Sequence, residues 1–267
     1  MQRQSISPFE HGVLAVDVGN TNVTLGLWQG ETLLISWRAR TVRDKMPDEY
    51  GVLVRSFLEE AGLSFQHIGG VAISSVVPPL TGTFVELSRR YMEIDPLVVT
   101  HTTDTGIRLK VDQPQQVGAD RIVNAAAVVA KHVYPAIVVD FGTATTFDIV
   151  SRDGDYVGGA ISPGIGIAHD ALVSHAARLH QIDLLPPPRP IGTNTIHAMQ
   201  SGIFWGYVGL VEGLVTRLKA DMGDPQITVI GTGGLAPLFK QHTQSLDAIE
   251  PDLTLEGLRL IYERQQK

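Results

Sequence analysis

The sequence predicts an α/β protein made of two similar halves, each with a βββαβα core. Three observations carry this. Short apolar runs separated by glycine turns alternate with amphipathic stretches of helical length. The strand end Val16-Asp17-Val18-Gly19-Asn20-Thr21 returns as Val139-Asp140-Phe141-Gly142-Thr143-Ala144. Each Asp-x-Gly is followed by two further strands with a glycine turn between them. The chain has 267 residues, room for about two domains of roughly 150 residues. The expected halves are 1–116 and 117–267, with the last helix a candidate to pack back on the first.

In the first half, residues 12–19 (GVLAVDVG) read as a buried strand, 23–28 as a second and 31–37 as a third, with Gln29-Gly30 as a turn. Residues 47–62 read as an amphipathic helix. Pro47 suits its first turn, Asp48 and Glu49 favour its positive end, and Gly62 stops it. A strand at 70–75, a helix at 79–93 and a strand at 97–100 follow. Residues 101–117 are polar and irregular, and 118–133 form a helix.

The second half repeats the opening: strands at 136–141, 145–150 and 155–161, with a turn at Asp153-Gly154. Helices are expected at 165–180 and 194–221, a strand at 226–231, a short helix at 235–241 and a last amphipathic helix at 253–263. Residues 184–190 (LLPPPRP) are too proline-rich for either element and read as a stiff surface loop.

Composition narrows the chemistry. The chain has no cysteine, which excludes disulfides, thiolate metal sites and cysteine nucleophiles. Its formal charge of −7 lacks the basic footprint of a nucleic-acid binder. No apolar run approaches the ~18–20 residues that span a bilayer, and residues 1–10 lack the apolar segment of a secretory signal. The expectation is a cytoplasmic protein with no membrane partner. No G-x-x-x-x-G-K-[ST] or G-x-S-x-G is present. His169, His175 and His180 do not share a helix face and read as surface or packing residues. Gly231-Thr232-Gly233-Gly234-Leu235-Ala236 matches G-x-G-x-x-A, yet only about 30 residues follow it, too few to complete a dinucleotide-binding fold.

A strand–turn–strand with a terminal aspartate and a Gly/Thr loop suits phosphate. Glycine lets the backbone approach closely. Backbone N–H groups, with Asn20, Thr21, Thr143, Thr145 and Thr146 as donors, can cradle anionic oxygens. A carboxylate beside such a cradle can hold a hydrated hard cation. Asp120 sits near the start of a predicted helix, where the ionised carboxylate is favoured. From spacing alone it reads equally as a helix cap and as a proton acceptor. Arg121 beside it could fork onto a carboxylate or phosphate. Gly158, Gly159, Pro163 and Gly164 could bring strand and helix close together.

The chain resembles the type III pantothenate kinases. The likeness rests on Asp17-Val18-Gly19-Asn20-Thr21-Asn22, Ser74-Ser75-Val76-Val77-Pro78-Pro79, Gly118-Ala119-Asp120-Arg121, the run from Asp140 to Thr146, and the run from Gly158 to Gly164. It continues through Gly192-Thr193-Asn194-Thr195, Met199-Gln200-Ser201-Gly202, Gly231 to Ala236, and Pro251 to Gly257, spanning about residues 13–264.

The resemblance implies two RNase-H-like domains of the actin-like ATPase fold with an inter-domain cleft. It implies ATP-dependent phosphorylation of pantothenate to 4′-phosphopantothenate, a homodimer with sites at or near the interface, Mg²⁺, and a monovalent cation, K⁺ or NH₄⁺. By matched position, Asp17, Val18, Gly19, Asn20, Thr21, Asn22, Val23 and Thr24 form the first phosphate loop, with Asp17 holding Mg²⁺ through water. The same match implies that Thr143, Gly233 and Gly234 are further ATP contacts and that Asp120 is the catalytic base. It implies that Val111, Gly118, Ala119, Asp120, Arg121 and Thr195 contact pantothenate, and that Asp140 binds the monovalent cation. Val111 stands where many members carry a tyrosine. Two other readings remain: a nucleotide-binding regulatory protein, akin to an accessory transcription factor and without kinase turnover, and an actin-like-fold phosphatase.

Overall fold

The computed structural model describes residues 11–224 and 226–267. The signal-peptide reading of residues 1–10 lies outside the described residues. The chain forms two compact units. The first holds the described residues up to Ile107, then Asp112–Ala130 and Leu253–Lys267. The second holds Arg108–Val111 and Lys131–Asp252.

In the first unit, β1 (Gly12–Val18), β2 (Asn22–Gln29), β3 (Thr32–Arg40), β4 (Ile68–Ser75) and β5 (Leu97–Val98) form one sheet in the order β3-β2-β1-β4-β5. The first three strands are antiparallel neighbours, and β4 and β5 run parallel to β1. Strand alternation puts Leu14, Val16 and Val18 on one face. There they are buried with Ile73 against Tyr50, Val54 and Leu58 of α1 (Pro47–Glu60) and Leu80 and Phe84 of α2 (Pro78–Leu87). Each such fully buried side chain stabilises the unit by roughly 1.5–3 kcal/mol. α2 continues into one wider helical turn at Ser88–Met92, which ends at Glu93 with a left-handed φ of 60°. The expected helix 79–93 is therefore two pieces.

The opposite face of this sheet is covered from later in the chain, by α3 (Ala119–Ala130) and α7 (Leu253–Gln265). A Cβ on Gly26 would come within 2.8 Å of Leu255 Cδ1, and one on Gly257 within 2.5 Å of the Val123 carbonyl. Glycine thus lets α7 lie directly on β2 and on α3. Thr254 Oγ1 donates to the buried Asn124 Oδ1 (2.8 Å) across the same helix pair. This packing places 117–130 and 253–267 in the first unit; the expected division put 117–130 with the second half and offered the last helix as a candidate for the first. Residues 108–111 are displaced the other way: Lys110 N donates to the Tyr156 carbonyl (2.8 Å), and Tyr156 N donates to that of Arg108 (2.9 Å).

The second unit repeats the sheet. β6 (Ala136–Phe141), β7 (Ala144–Val150), β8 (Tyr156–Pro163), β9 (Thr228–Thr232) and β10 (Ala248–Ile249) are ordered β10-β9-β6-β7-β8. The repetition reaches fine detail. A register shift falls between Leu27 and Trp28 in β2 and between Ile149 and Val150 in β7. The turns that follow carry Gly30 (φ 54°) and Gly154 (φ 76°). The core sets Ile137, Val139 and Phe147 against Phe204, Tyr207 and Val211 of α5 (Thr195–Met222) and Phe239 of α6 (Ala236–Lys240). α4 (Ile165–His175) is shorter than the expected 165–180. Ser174 Oγ donates to the Ala171 carbonyl (3.0 Å), and His175 Nδ1 lies 2.9 Å from the same oxygen. Such side-chain bonds compete with the helical ladder. Among the described residues no helix is long and apolar enough to cross a membrane.

Candidate active site

In the first unit, Asp17 is the last residue but one of β1. In register beside it stand Thr24 on β2 and Ser74 on β4. The row reads hydroxyl, carboxylate, hydroxyl, on the face opposite Val16 and Val18. The turn after β1 is closed by Gly19 N donating to the Asn22 carbonyl (3.0 Å). Thr41 holds the turn from outside: its Oγ1 donates to the Gly19 carbonyl (2.7 Å) and its N–H to that of Thr21 (2.9 Å). Arg43 Nη2 donates to Asn20 Oδ1 (3.1 Å). Asn20, Thr21 and Asn22 are exposed. Val18 and Val23 have their side chains in the core, so only their backbone could meet a ligand.

Thr41 and Arg43 were not anticipated from the sequence. The signal was available in the hairpin: a third strand antiparallel to the second must return its end to the β1–β2 turn. Reading β3 as ending at Trp37, three residues short of Arg40, hid that.

Asp120 lies in the first turn of α3, and its Oδ1 accepts from Arg121 N (2.8 Å). A Cβ on Gly118 would come 2.5 Å from that oxygen and 3.5 Å from Val76 Cγ1. Val76 N in turn donates to the Val18 carbonyl (3.1 Å). Asp17 and Asp120 are therefore gathered at one end of one sheet. Burial pushes the Asp120 carboxyl above the usual aspartate range, while the Arg121 amide and guanidinium act the other way. The carboxylate does take a helix-end amide, as a cap would, and is also held partly desolvated.

In the second unit, Asp140 occupies the matching place on β6, in register with Thr146 on β7 and Thr232 on β9. Thr146 Oγ1 donates to Asp148 Oδ2 (3.0 Å), and Tyr156 OH donates to Asp148 Oδ1 (3.1 Å). Gly233 turns with φ 86° beside Asp140. A Cβ there would come 2.7 Å from Asp140 Oδ1 and 2.8 Å from the Phe141 carbonyl. Two oxygens thus converge on space that glycine leaves open, which fits a cation. Gly234, next along, is exposed.

Gly164 N donates to the Thr143 carbonyl (3.1 Å), and a Cβ on Gly164 would come 2.3 Å from that oxygen. The exposed Thr143 is thereby fixed at the loop tip. Thr145 differs from the expectation that it offers a hydroxyl to phosphate. It is fully buried and hydrogen-bonded to Tyr207 OH. The Tyr207 hydroxyl is pushed up to about 12, first by burial and also by the charge of Asp140.

Val111 packs beside Gly158, 3.9 Å from where a Cβ would stand. Thr195 opens α5, whose Asn194 cap accepts from His197 N (2.9 Å). Thr195 lines a cavity of about 800 Å³ with Pro163, Gly192, Met199 and Tyr207. His169 is buried in packing, with Nε2 accepting from Ile182 N (3.3 Å). His180 lies beyond α4.

The donor sets fit the expected groups. One carboxylate with flanking hydroxyls and an exposed turn suits a hydrated Mg²⁺ shared with phosphate oxygens. A carboxylate oxygen converging with a carbonyl suits a less demanding monovalent ion.

A family model described as type III pantothenate kinase matches residues 13–217. A type III pantothenate kinase of Roseiflexus castenholzii is 51% identical over 255 residues, covering 96% of this chain and 100% of the relative. Among solved structures, a Campylobacter jejuni protein described as a Baf-family transcriptional activator is similar with a TM-score of 0.60. It is 18% identical and covers 95% of this chain and 98% of that one. An inorganic polyphosphate/ATP-glucomannokinase of Arthrobacter superposes with a TM-score of 0.51 at 14% identity, over 97% of this chain and 100% of that one. These structural likenesses concern the fold, that of the actin-like, RNase-H-like kinases and ATPases.

Proposed function

The chain belongs to the type III pantothenate kinase family, and on that premise we propose that it transfers the γ-phosphoryl group of ATP to the primary hydroxyl of pantothenate. The product is 4′-phosphopantothenate, the first intermediate on the way to coenzyme A. The observation that carries the reading is the pairing of Asp17 and Asp120 at one end of one sheet, joined through Val18, Val76 and Gly118.

Phosphoryl transfer proceeds through a loose transition state, so positioning and charge neutralisation dominate. Asp120 accepts the hydrogen bond, and later the proton, of the attacking hydroxyl; Arg121, Gly118 and Ala119 line the substrate beside it. The exposed turn of Asn20, Thr21 and Asn22 meets the phosphates, with Thr24, Thr143, Gly233 and Gly234 completing the nucleotide contacts. Asp17 would hold Mg²⁺ through water, and that ion would supply charge neutralisation at the phosphates. Asp140 holds a monovalent cation with the Phe141 carbonyl. Val111 and Thr195 bound the pantothenate side, Val111 by packing alone. We also infer a cytoplasmic homodimer, supported by exposed apolar side chains such as Ile161 (66%), Ile191 (74%) and Ile196 (56%).

The test is a coupled assay for ADP release with and without K⁺, across a panel of acceptor alcohols. ATP turnover that ignores pantothenate, or that hands phosphate to water, overturns the reading. Asp120→Asn should lower kcat by about 10²–10⁴-fold. It should also stabilise the fold at neutral pH. A carboxyl raised in the folded state contributes stability below its unfolded pKa and loses it as pH rises through the folded one. Asparagine carries no such charge. The gain in Tm should be present at pH 7.5 and absent near pH 3, and wild-type kcat should fall on the acid side at a pH above the ordinary aspartate range.

A further inference from the structure

Ser74 has no role so far beyond its place in the Asp17 row. Its side chain is fully buried, and its Oγ has no hydrogen-bond partner among the described residues. A buried hydroxyl without a partner is uncommon and asks for an explanation. Three features supply one. First, parallel neighbours lie about 4.8 Å apart, so Ser74 stands one strand from Asp17 in direct register. Second, it is on the sheet face opposite Ile73, where α3 packs on β4 and brings Asp120 to the same sheet end. Third, the other unit repeats the arrangement: Thr232, 1% exposed, takes the corresponding place beside Asp140. The duplicated sheets have kept a hydroxyl on the fourth strand of each, next to the carboxylate and nowhere near solvent.

We propose that Ser74 is a positioning residue for Asp17: its hydroxyl donates to the Asp17 carboxylate when that carboxylate engages the hydrated magnesium ion of the nucleotide. A carboxylate that holds an ion through water must keep its lone pairs aimed, and a donor at its back selects the rotamer, as outer partners do at metal sites generally. A hydroxyl suits this because it rotates to follow the carboxylate and adds no charge. The inference rests on the reading of Asp17 as the magnesium-side carboxylate.

The experiment measures binding of ADP by titration calorimetry, with Mg²⁺ and with EDTA, for wild type, Ser74→Ala, Ser74→Cys and Asp17→Asn, alongside unliganded melting temperatures. Ser74→Ala should bind Mg·ADP about tenfold more weakly while binding metal-free ADP as wild type does. Its unliganded Tm should be unchanged or higher, because the hydroxyl it removes has no partner to lose. Ser74→Cys keeps the volume with a weak donor and should fall between. Unchanged Mg·ADP affinity in Ser74→Ala overturns the inference. So does an equal loss with EDTA, or a fallen Tm with unaltered preference for Mg·ADP, both of which mark a structural serine. Asp17→Asn separates the two levels. If it loses the preference for Mg·ADP and Ser74→Ala does not, only the Ser74 role fails. If Asp17→Asn keeps the preference, the magnesium reading of Asp17 fails and takes Ser74 with it.

Discussion

Asp17 and Asp140 sit in the same frame and in different company. Each ends a central strand, with a threonine in register on one side and a buried hydroxyl residue on the other: Thr24 and Ser74, Thr146 and Thr232. Two residues beyond each threonine the units part. The first has Gly26, which admits Leu255 of α7. The second has Asp148, fully buried and accepting from two hydroxyls. The space before the carboxylates differs as well. Near Asp17 the turn carbonyls of Gly19 and Thr21 are taken by Thr41. Near Asp140 the Phe141 carbonyl faces the gap that Gly233 leaves. Duplication supplies the carboxylate; on the proposed reading, what closes around it decides which ion it suits.

Removing each carboxylate's charge in turn is the strongest way to break this comparison. Asp17→Asn should cost about 100-fold in kcat and raise the Mg²⁺ concentration for half-maximal rate, with no rescue by K⁺. Asp140→Asn should flatten the response to K⁺ while leaving the Mg²⁺ midpoint near its wild-type value. Steady-state rates over a grid of both ions decide it. If the two variants give one and the same ion profile, the units are not specialised as described.

Glycines sharpen the contrast at lower amplitude. Gly233→Ala forces a left-handed φ on alanine and drives its Cβ into a carbonyl and a carboxylate oxygen. It should cost on the order of 3 kcal/mol of stability and about tenfold in response to K⁺. Gly19→Ala brings a Cβ only to 3.1 Å of the Asn22 carbonyl. Under about 1 kcal/mol is expected there, with the effect on KM for ATP and not on K⁺. Thermal melts and KM measurements separate them.

The duplication, both aspartates and most elements were legible because they rest on local pattern: period-2 apolar runs, glycine turns, and Asp-x-Gly at strand ends. What was hidden depends on which surfaces meet. Nothing in residues 117–130 says that α3 packs on β4, or that α7 packs on α3 where Gly257 admits Val123. Thr145 looked like its neighbours Thr143 and Thr146, yet strand alternation turns it into the core against Tyr207. β10 is two residues long, too short to carry a pattern.

Smaller still is the effect of Asp148→Asn. Asparagine has one acceptor oxygen where Asp148 has two, so one of the two hydroxyl donations, from Thr146 or Tyr156, is lost or must reverse. A loss on the order of 1–2 kcal/mol is expected. Because Thr146 adjoins Asp140, the K⁺ midpoint should rise with it, whereas the Mg²⁺ midpoint should not.

The smallest effect lies at the hairpin turns. After Gly30 stands Glu31, exposed; after Gly154 stands Asp155, buried and paired with Arg108 and Lys110 (both 2.6 Å). Both cations belong to the 108–111 stretch, so this carboxylate adds two ion pairs to the Lys110 and Tyr156 backbone hydrogen bonds that tie that stretch to the second sheet. Arg108, the larger influence, and Lys110 hold the Asp155 carboxyl below the usual aspartate range. A depressed carboxyl contributes stability above its unfolded pKa and loses it as pH falls through the folded value. Arg108→Ala or Lys110→Ala should therefore lower Tm by roughly 1–2 °C at pH 6–8, both together by more. The gap should close as pH drops below about 4, as it does for Asp120→Asn, where the neutral-pH change is a gain in Tm and not a loss. Glu31→Ala, at the matching turn, should leave Tm unchanged at pH 6–8. A gap for Arg108→Ala that persisted near pH 3 would mean that the arginine stem, and not its charge on Asp155, fastens the strand.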